Sequence, residues 1–171
     1  MARHSPAPIC PYCNEPAGLL QGSTLYPGRI DLALKWFYRC GPCQAWVGCY
    51  PKTKKALGTP ANWELRRART ILHERRIDPL WEGADECGAY DPESPKARRI
   101  IKNVARTRVY EYLAARMEID VDECHTALFS IGQCREAWLI LTNVKYPEIR
   151  QWAKRRRQKP RPDIPSPSPP S

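Results

Sequence analysis

Two Cys-x-x-Cys pairs constrain this chain more than any other feature in it: Cys10-Pro-Tyr-Cys13 and Cys40-Gly-Pro-Cys43. Two residues between cysteines let one tight turn aim both sulfurs the same way. Two such turns supply the four thiolates that a tetrahedral zinc ion takes at about 2.3 Å. Asn14, next after the first pair, tolerates the positive φ that such turns need. The residues between and beyond the pairs read as strands: Leu19 to Leu25, then Trp36-Phe-Tyr-Arg39 running into Cys40, then Ala45 to Tyr50 leaving Cys43. The second pair therefore sits at the tip of a hairpin. A knuckle followed by a strand is the order of a zinc ribbon, whereas a treble clef places a helix there. A redox Cys-x-x-Cys ordinarily precedes a helix in a βαβ unit, a context this stretch lacks. The expected cofactor is one structural Zn2+ held by Cys10, Cys13, Cys40 and Cys43, a set that leaves no open position for chemistry.

The other four cysteines are scattered at 49, 87, 124 and 134. Cys87, Cys124, His125 and Cys134 have the residue types of a second metal site. Adjacent Cys and His side chains rarely meet one ion, however, and Cys134 falls on an apolar helix face where a thiol is ordinary filling. The spacing does not decide between the two readings. Cys49 reads as a packed side chain, and neither His4 nor His73 is assigned as a ligand.

With 171 residues the chain has room for one compact domain or two small ones. No segment approaches the roughly 18 apolar residues of a membrane span. Met1 to Pro8 has one Arg and no apolar run behind it, unlike a secretory leader. A cytoplasmic protein is expected, in which eight cysteines point to metal or thiols rather than disulfides.

Downstream of the cysteine pairs the pattern turns helical. Thr59-Pro60 is predicted to open a helix with Ala61, Leu65, Ala68 and Leu72 on its buried stripe, ending before Asp78-Pro79. Residues 82–95 read as a surface linker with Asp85 and Glu86 as loop acids. A second helix follows over 96–117, with Ile101, Ala105, Val109, Leu113 and Met117 in register. Asp120 to Glu123 is predicted to start a short helix through Leu128. Ser130 and Gln133 have the capping-box form, opening a helix that buries Cys134, Ala137, Trp138 and Leu141. Pro147 opens the last helix, with Ile149, Trp152 and Ala153 inward, running into Lys154 to Arg157. Six prolines and three serines over 160–171 cannot bury apolar area and are expected to be disordered. The expected fold is α+β: a small β zinc ribbon at 9–58 packed against a helical body at 59–153, with a disordered basic tail at 154–171.

Net charge is +10, and from Arg150 to the end seven Lys/Arg face one acid. Lys52, Lys54 and Lys55 after the ribbon, Arg66, Arg67 and Arg69 on the next helix, and Arg155, Arg156 and Arg157 are the candidate nucleic-acid contacts, because such cations release counterions from phosphates. Trp36, Tyr38, Trp46 and Tyr50 would offer stacking faces if exposed. The plainer reading is a solvated helix face and aromatics filling a small ribbon core. No Ser/His/Asp arrangement, P-loop or carboxylate cluster is present, so no enzyme is expected. The expected partner is nucleic acid, DNA or RNA, with a host bacterial protein as the alternative.

Cys10-Pro-Tyr-Cys13, the stretch from Cys40 to Cys49, Leu57 to Asn62, Leu65 to Arg69 and Asp78-Pro-Leu-Trp81 together resemble a family of zinc-finger-containing proteins found in phages and prophages. Tyr110 to Ala114, Glu123 to Thr126 and Gln133-Cys134 are also similar to it. The resemblance spans about residues 9 to 140. It implies a phage or prophage origin and zinc at the same four cysteines, and it carries no established biochemical activity. Tyr50 stands where many members have His, and Thr126 where an apolar residue is expected.

Overall fold

A computed structural model describes residues 6–158. In the ribbon, β1 (Gly18–Gln21) pairs antiparallel with β2 (Trp36–Arg39), and β2 with β3 (Trp46–Gly48). The register sets Leu19 opposite Tyr38 and Tyr38 opposite Val47, so one face of the sheet buries Tyr38 and Val47 with Ala17. Beside the sheet, Tyr26, Phe37 and Trp46 form an edge-to-face triangle with centroids 5.6–5.8 Å apart. The first strand stops at Gln21, short of the expected Leu25. Gly22 turns the chain into a one-turn helix, α1 (Gly22–Leu25), where its N–H donates to Lys35 O at 2.8 Å. A Cβ at Gly22 would lie 1.9 Å from Leu32 O, so only glycine fits there.

Residues 58–61 join the ribbon to the helical body, and that is why the next helix starts later than Thr59-Pro60. Ala61 exchanges both backbone hydrogen bonds with Trp46, at 3.0 and 3.1 Å, and Thr59 N–H donates to Ala127 O at 3.1 Å. Gly58 presses on the same segment: a Cβ there would sit 2.1 Å from Ala127 O. The helix α2 (Trp63–Leu72) is capped instead by Asn62, whose side chain accepts from Leu65 N at 2.9 Å. Leu65 and Leu72 on its expected stripe are buried.

Asp78-Pro79 does not end this helix. His73–Ile77 widens into a π turn, with Asp78 N–H donating to His73 O, five residues back, and α3 (Asp78–Glu82) continues from it. The widened turn accommodates a proline that has no N–H to give and whose ring crowds the preceding turn. The expected linker contains a 3-10 turn (Ala84–Glu86), and Asp85 is buried rather than a loop acid. Arg98 Nη1 and Lys102 Nζ each approach its carboxylate at 3.2 Å. Burial opposes its charge, but the Lys102 ammonium, its own backbone amide and Arg98 outweigh burial and hold the carboxyl below the ordinary range.

The remaining helices are α4 (Pro95–Met117), α5 (Ile131–Ile140) and α6 (Tyr146–Gln158). Ser94 caps α4, and the Ser130/Gln133 capping box opens α5 as expected. The short helix expected over 120–128 does not form. Glu118, left-handed at φ 55°, ends α4, and the chain then runs through successive turns. Ala127 N–H donates to His125 Nδ1 and Ala127 O accepts from Thr59 N–H, so neither backbone group joins a helical ladder. The body core gathers Leu72, Ile77, Val109, Leu113, Phe129 and Ile149, all nearly fully buried. The tail expected from residue 154 begins as helix: 154–158 are the last residues of α6. Its remainder from 159 and residues 1–5, His4 among them, lie outside the described residues. Among the described residues, no helix is long and apolar enough to cross a membrane.

Candidate metal centre and charged surfaces

The two knuckles are near copies of one another. Asn14 N donates to Cys10 O at 2.9 Å and Gln44 N to Cys40 O at 3.0 Å, with φ of 59° and 56° at Asn14 and Gln44. Cys10 N then donates to Glu15 O and Cys40 N to Ala45 O, at 2.9 and 2.8 Å. Each turn thus points two sulfurs inward, and the four Sγ atoms of Cys10, Cys13, Cys40 and Cys43 lie within 4.8 Å of one another. Tetrahedral zinc at 2.3 Å per bond requires sulfurs about 3.8 Å apart, so the cluster fits the ion. Cys43 N–H reaches Cys40 Sγ at 3.5 Å, the kind of backbone donor that stabilises a thiolate ligand.

Four thiols packed this closely cannot all ionise unaided. The Glu15 backbone amide, then the Cys40 thiol, favour the Cys13 thiolate, while the hydrogen bond with Cys13 and burial push Cys43 up to about 12. A divalent cation removes that conflict. Cys10, Cys40 and Ala45 are the buried residues around the four sulfurs, so the metal takes the place of an apolar core at this end of the ribbon.

A three-stranded antiparallel sheet closed at one end by four thiols defines a zinc-stabilised ribbon protein. A model of the zinc-finger-containing domain family matches residues 7–92, half of the chain, and the protein belongs to that family. The match takes in the ribbon, α2, the π turn and α3, and it ends before α4; the similar motifs beyond residue 92 lie outside it. No curated protein and no solved structure matches the chain.

No second metal cluster occurs among the described residues. Cys124 and Cys134 are buried, and burial raises both thiols, Cys124 to about 11. They serve as neutral core filling, and His125 stacks on Tyr110 instead of facing a metal. His73 holds a place that spacing alone does not reveal. Its Nδ1 lies 3.1 Å from Asp78 Oδ1, its Nε2 2.6 Å from Thr126 Oγ1 and 3.3 Å from the Tyr110 hydroxyl. Trp81 Nε1–H donates to the same Asp78 oxygen at 3.0 Å. The chain Asp78–His73–Thr126 has the order of a hydrolytic triad, with the Thr126 side chain buried at 3% exposure. It straps the π turn to α4 and to the 124–129 segment, and it explains a polar residue at 126.

The nine candidate nucleic-acid residues divide. Lys52, Arg67, Arg155, Arg156 and Arg157 are exposed. Lys54 and Lys55 are exposed too, but lie over Trp36 and Tyr50 at 4.6 and 5.6 Å. Arg66 stacks 4.3 Å over Trp46 and donates to Ala61 O at 2.6 Å. Arg69 is turned inward: Nε donates to Phe129 O at 2.9 Å, Nη1 to Thr59 O at 3.2 Å and Nη2 to Thr59 Oγ1 at 2.9 Å. It braces the ribbon–body joint rather than presenting a cation. Replacing Arg69 with Ala strands two carbonyls and is expected to destabilise the fold by about 1–3 kcal/mol. Urea denaturation measures that loss, and a DNA titration of the same variant should show affinity unchanged. Of the ribbon aromatics, Tyr38 is buried and Trp36, Trp46 and Tyr50 each lie under a cation.

Segment counting hides how many cations two packed helices carry. α4 carries seven Lys/Arg against Glu111, and α6 five against Glu148. Ten acids over 78–93 and 118–123 flank α4 in sequence and cancel its charge in any wider window. The two helices pack together, with Tyr112 and Trp152 edge to face at 5.3 Å and Arg108 Nη1 donating to Tyr146 Oη at 3.1 Å. Nine of the twelve cations are exposed: Lys96, Arg98, Arg99, Arg106 and Arg116 on α4 and Lys154 to Arg157 on α6. A per-helix charge count would have found this surface from the sequence.

Proposed function

We propose that this protein is a zinc-stabilised nucleic-acid-binding protein that acts in the cytoplasm of a phage-infected or lysogenic bacterium. The observation that carries the reading is the packed α4–α6 pair, which exposes nine Lys/Arg. Phosphates would neutralise these cations, and the exposed arginines offer forked donors to phosphate oxygens. The ribbon contributes Lys52 and α2 contributes Arg67, and zinc keeps the ribbon folded. Binding, not catalysis, is the proposed activity. The phage setting rests on the resemblance of the cysteine and helix motifs to a phage and prophage family.

Titration of zinc-loaded protein with duplex DNA and with RNA tests this. If four phosphates are contacted, affinity should fall about 100-fold between roughly 50 and 200 mM salt. Arg99→Glu with Arg106→Glu and Arg155→Glu should weaken binding strongly, whereas Arg67→Glu should have a small effect. Absence of binding at low salt, or a salt-insensitive affinity, rules the proposal out.

A further inference from the structure

Residues 26–35 connect α1 to β2 as a run of hydrogen-bonded turns. Arg29 N donates to Tyr26 O, Leu32 N to Arg29 O, Ala33 N to Ile30 O and Lys35 N to Leu32 O, at 2.9–3.3 Å. Ser23 N–H donates to Ala33 O at 3.1 Å, and the close approach of Gly22 to Leu32 fixes the loop against the ribbon. This ordered loop nevertheless holds Ile30 90% and Leu34 83% in solvent. Single exposed apolar residues are ordinary on a protein surface. These two are different: they border a groove of about 740 Å³ that Phe37 and Leu57 also line.

The rim of that groove is positive. Lys35 and Lys52 line it, Lys54 and Lys55 stand on the adjoining loop, and the one acid in the lining, Asp31, is bound by Arg29 at 2.8 Å. Aliphatic prongs and an apolar lining inside a ring of lysines complement a segment that carries apolar side chains among carboxylates. They suit bases poorly: the prongs offer no stacking face, and Lys54, Arg66 and Lys55 lie over Trp36, Trp46 and Tyr50. A second copy of this chain docking face to face would bring the same lysines against the rim.

We propose that this groove is a docking site for an acidic, apolar peptide segment of a partner protein. The site is separate from the α4–α6 surface and stands or falls independently of nucleic-acid binding there. The test uses the full zinc-loaded chain with Ile and Leu methyl groups labelled for NMR. The probes are twelve-residue synthetic peptides alternating Leu or Phe with Asp or Glu, beside basic peptides of the same apolar content and acidic peptides with Ser for every apolar residue. The acidic apolar peptides should bind saturably and shift the Ile30, Leu34 and Leu57 methyls, while the two control sets should bind at least tenfold more weakly. Ile30→Ser with Leu34→Ser, and separately Lys35→Glu with Lys52→Glu, should each weaken binding at least tenfold. Zinc content and the far-UV circular dichroism spectrum should not change, which shows that the variants remain folded. The proposal is overturned if no acidic apolar peptide binds, or if basic peptides bind equally. It is also overturned if the shifts map elsewhere, if oligothymidylate produces the same methyl shifts, or if Ile30 and Leu34 mediate self-association.

Discussion

Cys40→Ser, or removal of the metal by a chelator, is expected to unfold the ribbon while much of the helical body persists. The reason is how little else holds the knuckle end together. The buried residues there are Cys10, Cys40 and Ala45, and Cys13 and Cys43 complete the cluster. The sheet beside it buries Tyr38, Val47 and Ala17 across strands of three or four residues. So small a core cannot offset the conformational entropy of a segment this long. Zinc bound to four thiolates contributes on the order of 10 kcal/mol to folding, far more than that core supplies. The body has its own core in Leu72, Ile77, Val109, Leu113 and Ile149. Metal analysis should therefore return one zinc per chain and none for Cys40→Ser. Near-UV circular dichroism from the Tyr26, Phe37 and Trp46 triangle should collapse on chelation, while most helical far-UV signal remains. Retention of zinc by the variant, or a ribbon signal indifferent to chelator, would refute the assignment. Because the ligands must be deprotonated, zinc release should also advance as pH falls.

The fold was legible where short-range chemistry decides it. Cysteine spacing, alternating strands and helix stripes are local signals, and they located the four thiols, β2, β3 and the buried faces of α2, α4, α5 and α6. The errors fall where a long-range partner overrides a local preference. Thr59-Pro60 has the form of a helix start, but its neighbours are spent on Trp46 and Ala127, so Asn62 became the cap. Asp78-Pro79 reads as a stop, yet a π turn carried the helix past it. Asp85 looked like a loop acid because Arg98 and Lys102 reach it from thirteen and more residues away. The charged site was read less well for the same reason. Arg69 and Arg67 look alike in sequence, and only the path of the 124–129 segment shows that one guanidinium is used up inside the fold. That segment also brings Thr126 to His73, and no spacing rule joins residues 53 positions apart.

Phe129→Ala is expected to be the most damaging single change in the helical body. Phe129 is the largest of the fully buried side chains, and its neighbours in the core come from several helices. Truncating a buried Phe costs about 3–5 kcal/mol, the lost transfer energy plus the cavity left behind. That is a large fraction of the 5–15 kcal/mol by which a domain is ordinarily stable. The effect should reach beyond packing, because the 118–130 stretch has no helix of its own and is held by its anchors. Phe129 O accepts from Arg69 Nε and Ala127 O from Thr59 N–H, so a loosened Phe129 also loosens the joint to the ribbon. The Arg69→Ala and Phe129→Ala losses should consequently fail to add in the double variant, with a coupling of about 0.5–3 kcal/mol, as residues sharing contacts do. Phe129→Leu, which leaves a smaller cavity, should cost less than Phe129→Ala. Urea denaturation followed by far-UV circular dichroism measures all four proteins. Strict additivity, or a Phe129→Ala loss below about 1 kcal/mol, would mean that the 124–129 segment is held by something other than its buried ring and the arginine beneath it.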